Sequence, residues 1–273
     1  MTFITDPLQF SFFVRALLAA ILVGILCPML GTFVVLRGMA FLGDALAHII
    51  LPGVVVAFLI GVPIIFGALV MGVFTALAIG AINERASLSE DSTIGVIFAG
   101  SFALGIALLS ATDGYAVDLT HFLFGNLLGV SWFDLGVMSA ISLFVIVVIV
   151  AFFKELRAIS FDPTLARTLR LPVRLFDYGL LVLTALTIVV ALEAVGVSLM
   201  LAMLVTPAAT ATFFTNQLQP MMLLSAAIGV LSGIFGLYAS FYLNIASGPA
   251  VVLTATLVFA VGFTIHNVRK RTG

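Results

Sequence analysis

The chain alternates long apolar stretches with short polar clusters, on the length scale of membrane-crossing helices. A helical crossing needs about 20 apolar residues. Such stretches fall near 12–36, 38–61, 63–83, 93–112, 131–153, 174–195, 197–215, 221–243 and 249–267. Several are parted only by a Gly, a Pro or one charge, so the pattern predicts eight or nine spans. The stretches are long and do not alternate with period two, which excludes a membrane β-barrel. "DGYAVDLTHFLFGNLLGV" (113–130) is too polar to cross, but its second half is apolar enough to dip into the membrane. The predicted fold class is all-α: a polytopic membrane protein of eight or nine transmembrane helices, with one transmembrane domain over 1–273.

Composition agrees. Hydrophobic residues make up 63% of the chain and charged residues 8%, against about a quarter charged in soluble domains. A net charge of −1 carries no signal for nucleic acid. The single cysteine, Cys27, lies in an apolar run. It supports neither a disulfide nor a thiolate zinc site within the chain and reads as a small buried hydrophobe. No basic region precedes the first apolar run, so no cleavable signal is expected.

Arginine and lysine set orientation. They cluster at Arg37, at Arg85, from Lys154 to Arg174, and from Arg269 to Arg271. With nine spans these all fall on one side, the cytoplasm, and the C-terminus is cytoplasmic. The side of the N-terminus depends on the span count.

Two acids, Asp44 and Glu193, stand inside apolar segments. Glu193 is close to a predicted external end. Asp44 lies deeper, in "GDALAHIILPG" (43–53), four residues before His48. A charge at such depth costs about 2.5–3.5 kcal/mol, and residues four apart share one helix face. The pair is either a local hydrogen bond that packs the bundle or a cation site. A carboxylate with an imidazole suits Mn, Fe or Zn. Two side chains leave a coordination shell incomplete, whereas a two-fold pair of chains supplies two Asp and two His. Two carboxylates then offset the charge of one divalent ion where net charge is costly. The small residues Gly43, Ala45 and Ala47 are expected to let two such helices approach. Pro52 removes the N–H that would bond the His48 carbonyl and predicts a kink beside the pair. His121 reads as a surface residue, His266 as interfacial, and Met200 with Met203 as gap filling.

The longest inner segment is "KELRAISFDPTLARTLRLPVR" (154–174). Asp162 suits an N-cap and Pro163 the first helical position, while Pro172 ends the helix. Leu165, Ala166 and Leu169 give it an apolar side, suited either to a docking partner or to the membrane surface. No Gly-x-x-x-x-Gly-Lys-Ser/Thr pattern occurs; the only lysines are Lys154 and Lys270, and neither follows a glycine. The chain is therefore expected to bind no ATP itself and not to be an enzyme.

"GTFVVLRGMAFLGDALAHIILPGVVVAFLIG" (31–61) closely resembles the signature of permease subunits of ABC-type manganese/zinc/iron importers. "AISFDPTLARTLRLPVRLFDYGLLVLTALTIV" (158–189), "VGVSLMLAMLVTPAATA" (195–211) and "SGPAVVL" (247–253) resemble later parts of that family, so the similarity covers nearly the whole chain. The resemblance implies a homodimeric permease in a prokaryotic cell membrane. It works with two cytoplasmic ATPase subunits and an extracellular or periplasmic metal-binding protein. Asp44 and His48 become the metal ligands, and residues within 155–172 the coupling helix. Ser160, Phe161, Asp162, Pro163, Leu165 and Leu169 then meet the ATPase. Arg170 stands where the family often has Gly. Asn244 and Ala246 stand where it often has Asp and Pro, leaving Ser247, Gly248 and Pro249 to form a turn at an external gate. No cofactor is held permanently; manganese is the expected cargo, with zinc or ferrous iron as the alternative. A gradient-driven carrier using Asp44 and His48 as a relay, and a membrane scaffold, are the competing readings.

Overall fold

The computed structural model describes residues 2–85, 89–111 and 127–272, and these contain helices and no strands. The helices are α1 (Thr2–Leu8), α2 (Ser11–Leu36), α3 (Ala40–Ile49), α4 (Leu51–Leu59), α5 (Ile64–Arg85), α6 (Glu90–Ser110), α7 (Trp132–Ala151), α8 (Phe153–Phe161), α9 (Pro163–Thr168), α10 (Val173–Thr212), α11 (Leu218–Leu243) and α12 (Ser247–Thr272). Eight helical runs among the described residues are long and apolar enough to cross a membrane, α3 and α4 counting together as one. Residues 113–126 of the segment expected to dip, with His121, lie outside the described residues.

The choice between eight and nine lies in α10. Its 40 residues would extend about 60 Å if straight, twice a hydrocarbon core of about 30 Å. Helical geometry fails inside it at Gly196, with φ 76° and ψ 173°. That region is open essentially to glycine alone. Gly196 is also the residue that parts the apolar stretches 174–195 and 197–215 in the sequence.

The chain divides into two compact units, Met1–Val35 with Phe122–Ser142 and Ala191–Gly273, and Leu36–His121 with Leu143–Val190. In the first, glycines let backbones meet. A side chain on Gly24 or Gly229 would strike the other residue's backbone, and one on Gly31 would strike the Leu204 carbonyl. The Gly229/Gly233 pair thus packs α11 onto α2 within one chain, as small-residue spacing permits. Ser225 donates to the carbonyl of Pro28, the proline inside α2, at 3.2 Å, a polar tie between α11 and α2. Cys27, Met200 and Met203 are buried, as expected of space-filling side chains. His266 Nδ1 donates to the Phe213 carbonyl at 3.1 Å.

In the second unit, Gly53 on α4 and Gly67 on α5 face one another so closely that a Cβ on either would meet the other's carbonyl. α4 and α5 are held tightly against each other, and Leu51 and Val55 pack on Phe102, Leu108 and Leu109 of α6. Asp44 and His48 lie on α3, which leads directly into α4.

Candidate functional site

The helical run from Ala40 to Leu59 divides at Ile50, two residues before Pro52. A proline there cannot close the ladder back to the His48 carbonyl, so α3 ends one residue after the candidate ligand. His48 Nδ1 lies 2.9 Å from the Asp44 backbone carbonyl oxygen and 3.9 Å from its carboxylate Oδ1. A carbonyl only accepts, so the short contact makes Nδ1 the N–H nitrogen. The Nε2 lone pair is then the one available to a cation, the arrangement that metal-binding histidines use.

The ring is held from the side. Phe98 and Phe102, one turn apart on α6, stack at 5.7 Å and 11°. Both meet the imidazole edge to face, at 5.8 and 5.6 Å. These two phenylalanines carry no signal in the sequence beyond a four-residue spacing; only the packing of α3 on α6 gives them a role. The His48 side chain remains 26% exposed and that of Asp44 40%. Their face is half open rather than sealed in the core. No group of three or more His, Cys, Asp and Glu side chains able to hold a metal occurs among the described residues.

Gly43, Ala45 and Ala47 are all buried inside their own chain. They do not form the contact surface for a second helix that their size suggested. On a helix, positions 43 and 47 lie beside the 44/48 row but turn toward the core here. The outward row is Phe41, Asp44 and His48.

The inner segment is two helices rather than one, broken at Asp162. The residue before a proline avoids helical geometry, and Asp162 sits at φ −147°, ψ 89°. Its Oδ1 accepts from the N–H groups of Thr164 at 3.0 Å and Leu165 at 2.9 Å, the N-cap read from the sequence. At the other end Arg170 takes φ 57°, the left-handed geometry usually given to glycine. Leu171 N–H closes on the Ala166 carbonyl at 3.1 Å. An arginine at this position therefore keeps the cap and strains the residue.

The apolar side of α9 splits in two. Ala166 is buried with Ile159 and Val173, against Leu171 and Phe176. Leu165 and Leu169 point outward, 53% and 62% exposed, beside Phe161 at 55%. Ser160 faces inward instead: its hydroxyl accepts from Arg37 Nε at 3.4 Å. Ser247, Gly248 and Pro249 form the first turn of α12 rather than a loop. The turn falls earlier, where Asn244 adopts φ 53° and Ser240 donates to the Ile245 carbonyl at 2.7 Å.

The model of one protein family, the ABC 3 transport family, matches residues 9–266. The chain belongs to the ABC 3 transport family. Members of known name include the manganese transport system membrane protein MntC of Halalkalibacterium halodurans, 47% identical over 96% of this chain and 90% of that protein. The chelated iron transport system membrane protein YfeD of Yersinia pestis is 38% identical over 97% of this chain and 89% of that protein. Among solved structures, PsaBC from Streptococcus pneumoniae in complex with Fab aligns with a TM-score of 0.84 and 38% identity, covering 96% of this chain and 94% of that one. As a member of an ABC transport family the chain is a multi-pass membrane permease, and its helical fold is that of a permease chain.

Proposed function

We propose that this chain is the permease subunit of an ATP-driven importer for a divalent transition metal, manganese foremost. The observation that carries the reading is the His48 Nδ1–H bond to the Asp44 carbonyl. It leaves the Nε2 lone pair available on a ring that shares a helix face with the Asp44 carboxylate. One acid and one imidazole per chain make half a shell. A second copy related by a two-fold axis brings it to two carboxylates and two imidazoles, neutral around a divalent ion. The ion is cargo, so the ligands must open in some states to release it.

The names of the relatives support manganese, and the absence of thiolates near the pair fits a hard-to-borderline ion. Ferrous iron or zinc is the second reading, favoured by the YfeD relative and by the tolerance of an Asp/His set. ATP binding and hydrolysis fall to a separate subunit in this reading. Phe161, Leu165 and Leu169 form the apolar surface on which it docks, with Asp162 and Pro163 shaping the turn that presents them. A gradient-driven carrier has no use for that surface. An extracellular or periplasmic metal-binding protein delivers the ion at the opposite side, with Ser247, Gly248 and Pro249 beside the entrance.

Counting the stretches before and after Gly196 as separate crossings brings the number to nine. Arg37, Arg85, the 154–174 run and the C-terminal Arg269–Arg271 then share the cytoplasmic side of a prokaryotic cell membrane.

The test is uptake into vesicles holding the permease, its ATPase subunits and binding protein. ATP-dependent manganese accumulation that excess zinc and ferrous iron fail to suppress supports the assignment. Uptake that follows zinc or iron instead moves the cargo, and accumulation without ATP removes the importer reading.

A further inference from the structure

Arg37 lies in the three-residue link between α2 and α3. Gly38 beside it takes φ 72°, so the chain turns sharply there into the helix bearing Asp44 and His48. The guanidinium donates from Nη1 to Asp177 Oδ1 at 2.9 Å and from Nε to Ser160 Oγ at 3.4 Å. Asp177 belongs to the start of α10 and Ser160 to the end of α8, next to Phe161. One side chain therefore ties together the inner segment, α10 and the link that leads to the candidate metal helix.

The tie is incomplete. The Arg37 side chain is only 14% exposed, and its Nη2 is buried without a hydrogen-bond partner among the described residues. Asn83 Oδ1, an acceptor, is buried and unpartnered as well. Both residues line one polar cavity of about 360 Å³, together with Glu84, Arg167, Arg174 and Tyr178. An unspent donor and an unspent acceptor on one cavity each carry a desolvation cost that a new pairing recovers. The cavity gives the guanidinium room to move.

We propose that Arg37 is a positioning residue that links the inner segment to the metal helix. Its guanidinium exchanges between the Asp177/Ser160 pairing and a pairing with Asn83 when the ATPase moves the segment. This rests on the ATP-driven import reading above. Arg37 acts through the link at Gly38.

The experiment uses the complete transporter in vesicles and measures manganese taken up per ATP hydrolysed, alongside manganese binding without ATP. Arg37→Gln should keep ATPase association and metal binding while uptake per ATP falls about tenfold, and Arg37→Lys should recover part of the loss because the ion pair persists. A purely structural role would lower assembly, binding and uptake together and leave the ratio unchanged. Where Arg37→Gln fails to assemble, Asn83→Ala carries the same expectation through the other partner. Ratios within about twofold of wild type in the assembled variants overturn the link. Wild-type vesicles that take up no metal with ATP overturn the import reading itself, which separates the two failures.

Discussion

His48 binds back to its own helix: its Nδ1 sits 2.9 Å from the carbonyl oxygen of Asp44, closer than the 3.9 Å to the Asp44 carboxylate. The carboxylate is thus not consumed by the histidine, and both remain available to a third party. A packing hydrogen bond between the two side chains would have used up the acid instead.

Replacing either proposed ligand should abolish transport without dismantling the protein. Asp44→Asn keeps shape and loses charge. Loss of an outer partner of a metal ligand already costs 10–100-fold in affinity, so loss of the ligand itself should lower manganese uptake at least about a hundredfold. His48→Gln should act likewise, with copurification of the ATPase unchanged. Uptake near wild type in either variant would remove the pair from the pathway.

The two-copy site predicts proximity across the axis. Ligands lie roughly 2.0–2.2 Å from such a metal, so the two His48 positions must come close in the closed state. His48→Cys should crosslink to its mate with a short bridging reagent, read as a dimer band on a denaturing gel. Ala47→Cys should not, because that side chain turns into its own core. Crosslinking at 47 but not at 48 would reject the face assignment.

The inner segment should tolerate charge on its outer face and not on its inner one. Leu165→Asp with Leu169→Asp should change stability by no more than about 0.5 kcal/mol each, as exposed sites do. The ATPase should nevertheless cease to copurify. Ala166→Asp buries a charge among Ile159 and Val173 and should unfold the segment outright. Unchanged copurification of the double leucine variant would show that the dock lies elsewhere.

The ends of α9 should respond in opposite directions. Asp162→Ala strips two N–H groups of their acceptor and should cost about 1 kcal/mol. Arg170→Gly relieves a left-handed residue and should gain up to about 1 kcal/mol. Amide hydrogen exchange across 163–171 reads both, with faster exchange in the first and slower in the second.

The sequence by itself determined the membrane class, the boundaries of most spans and the cap at Asp162. Each is set by local physics: the length of an apolar run, or a carboxylate next to orphan N–H groups. It also placed Asp44 and His48 on one face, because helical periodicity alone does that, and it parted two stretches at Gly196, where a glycine-only conformation interrupts α10. Tertiary structure decided what local rules do not reach. It turned Gly43, Ala45 and Ala47 into the chain's own core, since which side of a helix meets its neighbours depends on how α3 lies on α6. It set Phe98 and Phe102 against the imidazole, sent Ala166 inward while leaving Leu165 and Leu169 exposed, and brought Arg37 to Asp177, 140 residues away. In spans this uniformly apolar the hydrophobic pattern alone does not mark which face turns inward; the packing of one helix on the next decides it.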